Sequence, residues 1–278
     1  MIAPTRVALY GEPKKGKTRL ATSLPWGARW GEKAVYVAWD AGSEELTSVL
    51  VDNRTRLLVV KPEEKVLAKG TQHEKLVFDP LSEAVEIASH DWASEGYSTL
   101  IWDTMTQTAR DLLTAIAAQG LHGKSPAIGT PGTATYVPQP SIGDYGAAQR
   151  SIMHILGFLF NQPMNLIVLF HSADDGEGTT ETIGGPATIG RAAIRPISSL
   201  FDNLFRITVD KIRKPGTMPP EFEFKRVVQT ESKSYWLTGL RSPHDKNPIP
   251  EYVLRDGASC SEFWSTLDTI TKGEVNGQ

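Results

Sequence analysis

The densest chemistry in the sequence lies at residues 11–18, Gly11-Glu12-Pro13-Lys14-Lys15-Gly16-Lys17-Thr18. The spacing is GxxxxGK[ST]. Glycines at such positions let backbone N–H groups turn inward around phosphate oxygens. The lysine then reaches the β and γ phosphates, and the threonine hydroxyl ligates Mg²⁺. A helical pattern opens at Thr18 and continues through Arg19, and a helix N-terminus favours an anion. The segment Gly11 to Arg19 is therefore the candidate phosphate-binding stretch, with ATP and Mg²⁺ as its ligands. The competing reading is a Gly/Lys-rich surface turn. The apolar run RVALY just before the motif and the helical pattern just after it weigh against that.

A magnesium-nucleotide site also needs an acidic residue at the end of a neighbouring strand. Two stretches offer one. "STLIWD" ends on Asp103 and "AVYVAWD" ends on Asp40. Asp103 is the candidate Mg²⁺ partner of Thr18. The alternative is an aspartate, or Thr104 beside it, that merely caps the next helix.

These residues need a scaffold, and the apolar pattern supplies one. Strands are expected at 6–10, 33–40, 56–60, 97–103 and 165–171, then late strands at 203–209, 222–230 and 234–240. Helices are expected near 18–24, 81–95, 106–119 and 144–161. Apolar strands alternating with helices predict an α/β fold with a mainly parallel central sheet flanked by helices. Late strands without helices between them predict an antiparallel extension at one edge. Trp39 and Trp102 fall in strands and are expected in the core. Two long stretches, 120–143 and 172–191, lack periodicity, and loops of that length usually carry function or move.

Composition narrows the classes. The chain has 278 residues, 40% hydrophobic and 22% charged, with a formal net charge of −3. It gives no global basic signal, so a nucleic-acid partner must be held by a local patch. One cysteine, Cys260, excludes an intramolecular disulfide and a cysteine-based zinc site. No apolar run approaches the roughly 20 residues of a membrane helix. The N-terminus runs straight toward the first strand, which argues against a signal peptide and against an N-terminal accessory domain. One domain is expected over 1–278, with a core to about 255 and a C-terminal tail over 256–278.

The ordered series "GEPKKGKT", "VAWDAG", "LIWDT", "GDYGAAQR", "NLIVLFHS", "GGPATIGRAAIRPISSLFDNLFRI" and "YWLTGLRSP" resembles the RecA-like P-loop ATPases over about residues 5–250. It is most similar to the core-only phage RecA-like single-strand annealing ATPases. The resemblance implies a RecA-like P-loop NTPase core that hydrolyses ATP, with DNA-dependent turnover, as a homo-oligomeric ring or filament. It implies single-stranded DNA as partner, a single-stranded DNA-binding protein as a further one, no membrane, and a cytoplasmic location, the host's if phage-encoded. It implies Asp103 as the Walker B aspartate. In that family a glutamate just past the second strand polarises the attacking water, but Gly42 stands at the expected position. Asp40 and Glu44 are the two alternatives. His171, ending "NLIVLFH", matches the polar residue that senses the γ-phosphate; a strand-end histidine bonded to backbone is the plainer reading. Arg241 resembles the late arginine offered to a neighbour's nucleotide, although Thr238 or Gly239 replaces the usual lysine. Arg206, Lys211, Arg213 and Lys214 are alternatives, as is a surface arginine without a role.

In the same family, loops after the Walker B and sensor strands hold single-stranded DNA. Their counterparts here carry His122, Lys124 and Tyr136 in the first, and Arg191 with Arg195 in the second. Few cations and aromatics are present, and Asp174, Asp175, Glu177 and Glu181 make the second loop acidic. DNA binding is thus an implication of the resemblance rather than of composition. Two other functions compete. A nucleotide-gated loader or assembly factor with little hydrolysis fits Gly42. A small-molecule kinase would need an arginine-rich lid, which is not evident.

Overall fold

The computed structural model describes residues 4–27, 29–40, 43–63, 65–66, 76–77, 79–119, 127–128, 137–173, 184–189, 193–213, 218, 221–242, 247–255 and 257–272. The strands that build the central sheet are β1 Arg6–Gly11, β2 Ala34–Ala38, β3 Leu57–Val60, β4 Thr99–Asp103, β5 Asn165–Ala173, β6 Gly185–Pro186, β7 Asn203–Arg213, β8 Phe222–Gln229, β9 Gly239–Leu240 and β10 Glu251–Leu254. Their order is β10-β8-β7-β1-β5-β4-β2-β3, with β6 paired to β5 and β9 to β7. From β7 to β3 every neighbour is parallel. β8 and β10 add the antiparallel extension. The strand ending in Asp103 is separated from the phosphate-loop strand by β5, which is the RecA-like arrangement.

The parallel strands are buried on both faces because their runs are apolar throughout rather than alternating. On β1, Val7 and Leu9 enter one cluster while Ala8 and Tyr10 enter the other. The helices are α1 Lys17–Ala21, α2 Val51–Arg54, α3 Pro80–Ser89, α4 Met105–Gln119, α5 Ile142–Asn161, α6 Ile194–Ser198 and α7 Gly257–Thr271. α3, α4 and α5 cover the Ala8 face through Ala84, Leu112 and Ile152. α1 and α7 cover the Val7 face through Leu20 and Phe263. α5 starts at a capping box in which Ser141 and Asp144 exchange side chain–backbone hydrogen bonds.

Three expectations need correction. Of the strand expected at 234–240, only Gly239–Leu240 pairs; Lys233 and Trp236 form an isolated bridge around a turn. The long stretch after α4 is not pattern-free, since Ala127–Ile128 pairs with Val137–Pro138 and α5 begins at Ile142. The third concerns the C-terminal tail expected over 256–278. Its described part, Gly257–Thr271, is a helix with Phe263, Trp264, Leu267 and Ile270 buried. Those positions are spaced as one helical face, so their burial against the sheet outweighs the polar residues between them. Residues 273–278 of that tail lie outside the described ones.

Trp264 joins this helix to the phosphate-loop helix. Its Nε1 donates to the Leu20 carbonyl at 2.8 Å, and its ring packs edge-on against Trp30 at 4.9 Å. Trp264→Ala is expected to cost about 3–5 kcal/mol of stability, as for other buried large aromatics. Denaturant unfolding measures this. A cost below about 1 kcal/mol would return α7 to the status of a tail.

Candidate active site

The parallel strands deliver their carboxyl ends to one edge of the sheet, where α/β folds place ligands. Register brings Gly11 beside His171, and Ala38 beside Asp103. A cavity of about 700 Å³ opens there, lined by Pro13, Lys14, Gly16, Lys17, Thr18 and Arg19 from the loop and α1. Asp40, Thr47–Leu50, Asp103, Thr104, His171 and Arg226 complete it. Two glycines shape the loop. A Cβ on Gly11 would lie 2.4 Å from the Ile207 carbonyl oxygen, so β1 turns off hard against β7. Gly16 has φ +98°, a left-handed conformation that side chains disfavour.

Lys17 is buried, and its ammonium donates to the carbonyls of Gly11 at 3.0 Å and Glu12 at 2.9 Å. Burial lowers its pKa, opposed by the charges of Asp103, Asp40 and Glu12. The Thr18 hydroxyl donates to Asp103 Oδ2 at 2.6 Å, and the Tyr36 hydroxyl donates to the same oxygen at 2.7 Å. Burial raises the Asp103 pKa, and these two hydrogen bonds act against it. A hydroxyl and a carboxylate at this separation are hard oxygen donors of the kind Mg²⁺ takes alongside phosphates and water. The residues therefore fit that ion.

Asp40 forms the other wall. His171 Nε2 lies 3.6 Å from its Oδ2, and the Thr104 hydroxyl donates to its Oδ1 at 3.1 Å. Burial alone would raise the Asp40 pKa, but His171, Thr104 and Lys17 carry it below the usual carboxylate value. An ionised carboxylate beside a buried lysine suits a group that accepts a hydrogen bond from water. His171 is tied in turn to the core. Its backbone N–H donates to the Thr106 hydroxyl at 2.9 Å, and its carbonyl accepts from the Ala187 N–H at 2.7 Å. Thr106 donates to the Ala187 carbonyl at 2.5 Å. Thus His171 sits between the cavity and the segment returning along β6.

Several expected site residues lie elsewhere. Glu12 does not line the cavity with its side chain; it pairs with Lys15 at 3.2 Å. Glu44 sits in a short 3₁₀ turn, Ser43–Glu45, exposed and away from the cavity wall. The chain leaves β2 at Asp40, so that residue, not Glu44, occupies the wall. Arg241 pairs with Asp202 at 2.5 Å and lies beside Pro4 and Thr5, at the amino edge of the sheet. That is the length of β1, roughly 17–20 Å, from its own phosphate loop. Arg206 stacks 3.7 Å over the Trp236 ring and Lys211 lies 3.9 Å over Phe222, so both are engaged outside the cavity. Gly42, His122, Lys124, Tyr136, Asp174, Asp175, Glu177, Glu181, Arg191 and Lys214 fall outside the described residues, as does the side chain of Arg213. Arg195 is described and exposed on α6, by a separate cavity of about 660 Å³ lined by Phe201, Tyr235 and Trp236. That space is more apolar and carries none of the phosphate-binding groups.

Sequence reasoning missed Tyr36, Thr47–Leu50 and Arg226. Tyr36 was legible in principle, because it lies in the apolar run that leads to Asp40; its ring packs in the cluster that holds Leu20. Arg226 was not: only the β7–β8 hairpin, folded beside β1, brings it to Gly16.

Thr18→Ala tests the metal assignment. Nucleotide affinity without Mg²⁺ should stay near wild type, while the gain on adding Mg²⁺ falls by at least about tenfold, or ~1.4 kcal/mol. Titration with and without EDTA reads this, and an undiminished Mg²⁺ gain would remove Thr18 from the metal site.

A family model described as "AAA domain" matches residues 3–242. No curated protein matches the sequence. Among solved structures, a KaiC-like protein from Pyrococcus horikoshii OT3 is similar over 91% of both chains, with 12% identity and a TM-score of 0.43. An ATPase from the type III secretion system of pathogenic bacteria is similar over 74% of this chain and 51% of that one, with 14% identity and a TM-score of 0.40. Among the described residues no helix is long and apolar enough to cross a membrane. The family match spans the phosphate loop, Asp103 and His171, and the strand order around them is the one described above. The chain belongs to the AAA domain family, with a P-loop on a mainly parallel sheet.

Proposed function

We propose that the chain, as one ATPase unit over 1–278, hydrolyses Mg-ATP and couples turnover to single-stranded DNA in recombination or strand annealing. The observation that carries hydrolysis is Asp40, an ionised carboxylate held by Thr104 and His171 on the wall facing Lys17. Lys17 leaves its two carbonyl partners to hold phosphate oxygens. Thr18 and Asp103 would hold Mg²⁺, which would supply neutralisation of phosphate charge. Asp40 orients water for in-line attack; the new P–O bond forms as the bond to ADP breaks. His171 reports the γ-phosphate through its backbone bonds to Thr106 and Ala187.

Support for the DNA part is the ordered motif resemblance together with that linkage. The bonds of His171 run toward the second long segment, where the family's DNA loop is expected. A homo-oligomer of the core-only phage annealing type follows from the same resemblance. In it Arg241, 78% exposed, is the group one copy offers to the next copy's nucleotide.

A nucleotide-gated loader with slow turnover is the second reading. It is favoured by the cavity's carboxylates, which among the described residues are Asp40 and Asp103, with no glutamate. Asp40→Asn separates the roles. It should cut turnover by about 100-fold or more while nucleotide affinity changes less than about threefold, and Glu44→Gln should behave as wild type. Turnover retained in Asp40→Asn and lost in Glu44→Gln would reverse the assignment. Single-stranded DNA should stimulate turnover and bind with a log-linear salt dependence. Absent stimulation together with salt-insensitive binding would favour the loader.

A further inference from the structure

Three arginines from three parts of the chain meet beside Gly16. Arg19 lies on α1, Arg226 on β8, and Arg255 just after β10. With Gly16, Leu254 and Cys260 they line a recess of about 60 Å³. Gly16, Arg19 and Arg226 also line the nucleotide cavity, so the two spaces share a wall. A Cβ on Gly16 would sit 3.5 Å from Arg226 Cδ and 3.6 Å from its Nε. The Arg19 Nε is buried and makes no hydrogen bond. Among the described residues none of the three guanidinium groups has an ion-pair partner.

For Arg226 the pleat keeps the hairpin's own acids away. Arg226 shares its strand face with Phe222 and Phe224, and opposite it on β7 stand Val209 and Lys211. Asp210 and Glu223 point to the reverse face. The hairpin thus turns its acids away and presents cations to the phosphate loop. Unpaired guanidinium groups are drawn to phosphate, which they bind through charge-assisted and often bidentate hydrogen bonds.

Asp40 meets Thr104 and His171 on one wall of the cavity. The adjoining recess shares only Gly16, Arg19 and Arg226 with the cavity and carries none of its acids. A triphosphate whose γ group faces Asp40 can direct its α-phosphate and ribose toward that recess. We propose that Arg226, supported by Arg19 and Arg255, holds the α-phosphate and ribose side of the bound nucleotide within the same chain. The inference rests on the nucleotide reading of the cavity and adds its base-proximal subsite. Because ADP and ATP share that part, the arginines bind both equally and act on KM rather than kcat.

Calorimetric titration of ADP and ATP against Arg226→Ala, Arg226→Lys, the Arg226→Ala/Arg255→Ala pair and Lys17→Ala tests this. Arg226→Ala should weaken both nucleotides by the same factor, about tenfold, and the double variant by about 100-fold. Lysine should restore part of the loss, being a single point charge without the planar fork. KM for ATP should rise in step with the ADP dissociation constant, with kcat within about twofold. Arg226 is exposed, so an unchanged circular dichroism melt accompanies these values. Wild-type affinity for both nucleotides in Arg226→Ala, alongside loss in Lys17→Ala, would overturn the arginine subsite alone. Loss of ATP affinity with ADP affinity intact would overturn it too, by moving Arg226 to the γ end. A wild-type chain that binds neither nucleotide would overturn the cavity's reading along with it.

Discussion

One hydrogen bond, from the Thr18 hydroxyl to Asp103 Oδ2 at 2.6 Å, sets the terms for the rest of the site. It joins residues that are 85 positions apart, Thr18 on α1 and Asp103 at the end of β4, a strand that does not neighbour β1. β5 lies between β1 and β4, so the loop and α1 reach across it to Asp103. The register of β5 beside β1 pairs His171 with Gly11 and brings it to the same cavity. A buried Asp103 whose pKa is raised needs donors to keep its charge tolerable, and Tyr36 supplies the second one from β2.

The legible part of this site was the part encoded over short distances. The phosphate loop is eight consecutive residues with backbone demands that only a few residue types meet, and Asp103 ends an apolar strand. Fold class followed from the same runs, because strands buried on both faces read as continuous apolar segments. The choice between Asp40 and Glu44 was not legible. It depends on how the chain turns after β2, and a difference of a few residues moves the carboxylate from the wall of the cavity to its outside. Arg226 lay further out of reach. Its role is set by a hairpin closing beside β1, a contact between distant segments that no local pattern records. α7 is a different case: Phe263, Trp264, Leu267 and Ile270 spell an amphipathic face, and its polar neighbours obscured a signal that was present.

The cavity is chemically lopsided. Carboxylates, a hydroxyl and an imidazole collect at one end, and guanidinium groups at the other, with Lys17 and the loop amides between. Such a gradient orients a polyanion by the work each end can do. On the proposed reading, the carboxylate end would take the metal-bearing, hydrolysable group, and the cationic end a phosphate that does not react. An extended ligand entering the wrong way round would leave arginines unpaired and set bare carboxylates against phosphate.

The contact between Trp264 Nε1 and the Leu20 carbonyl carries a consequence for the whole chain. α1 is five residues long, and its Leu20 carbonyl accepts both from the Ser23 N–H at 3.1 Å and from Trp264, more than 240 positions away. Through this contact, and through the burial of Phe263, Trp264 and Leu267 in the cluster that holds Leu20, the helix that follows the phosphate loop rests directly on α7. Two segments from distant parts of the chain therefore share one patch of core beside the cavity.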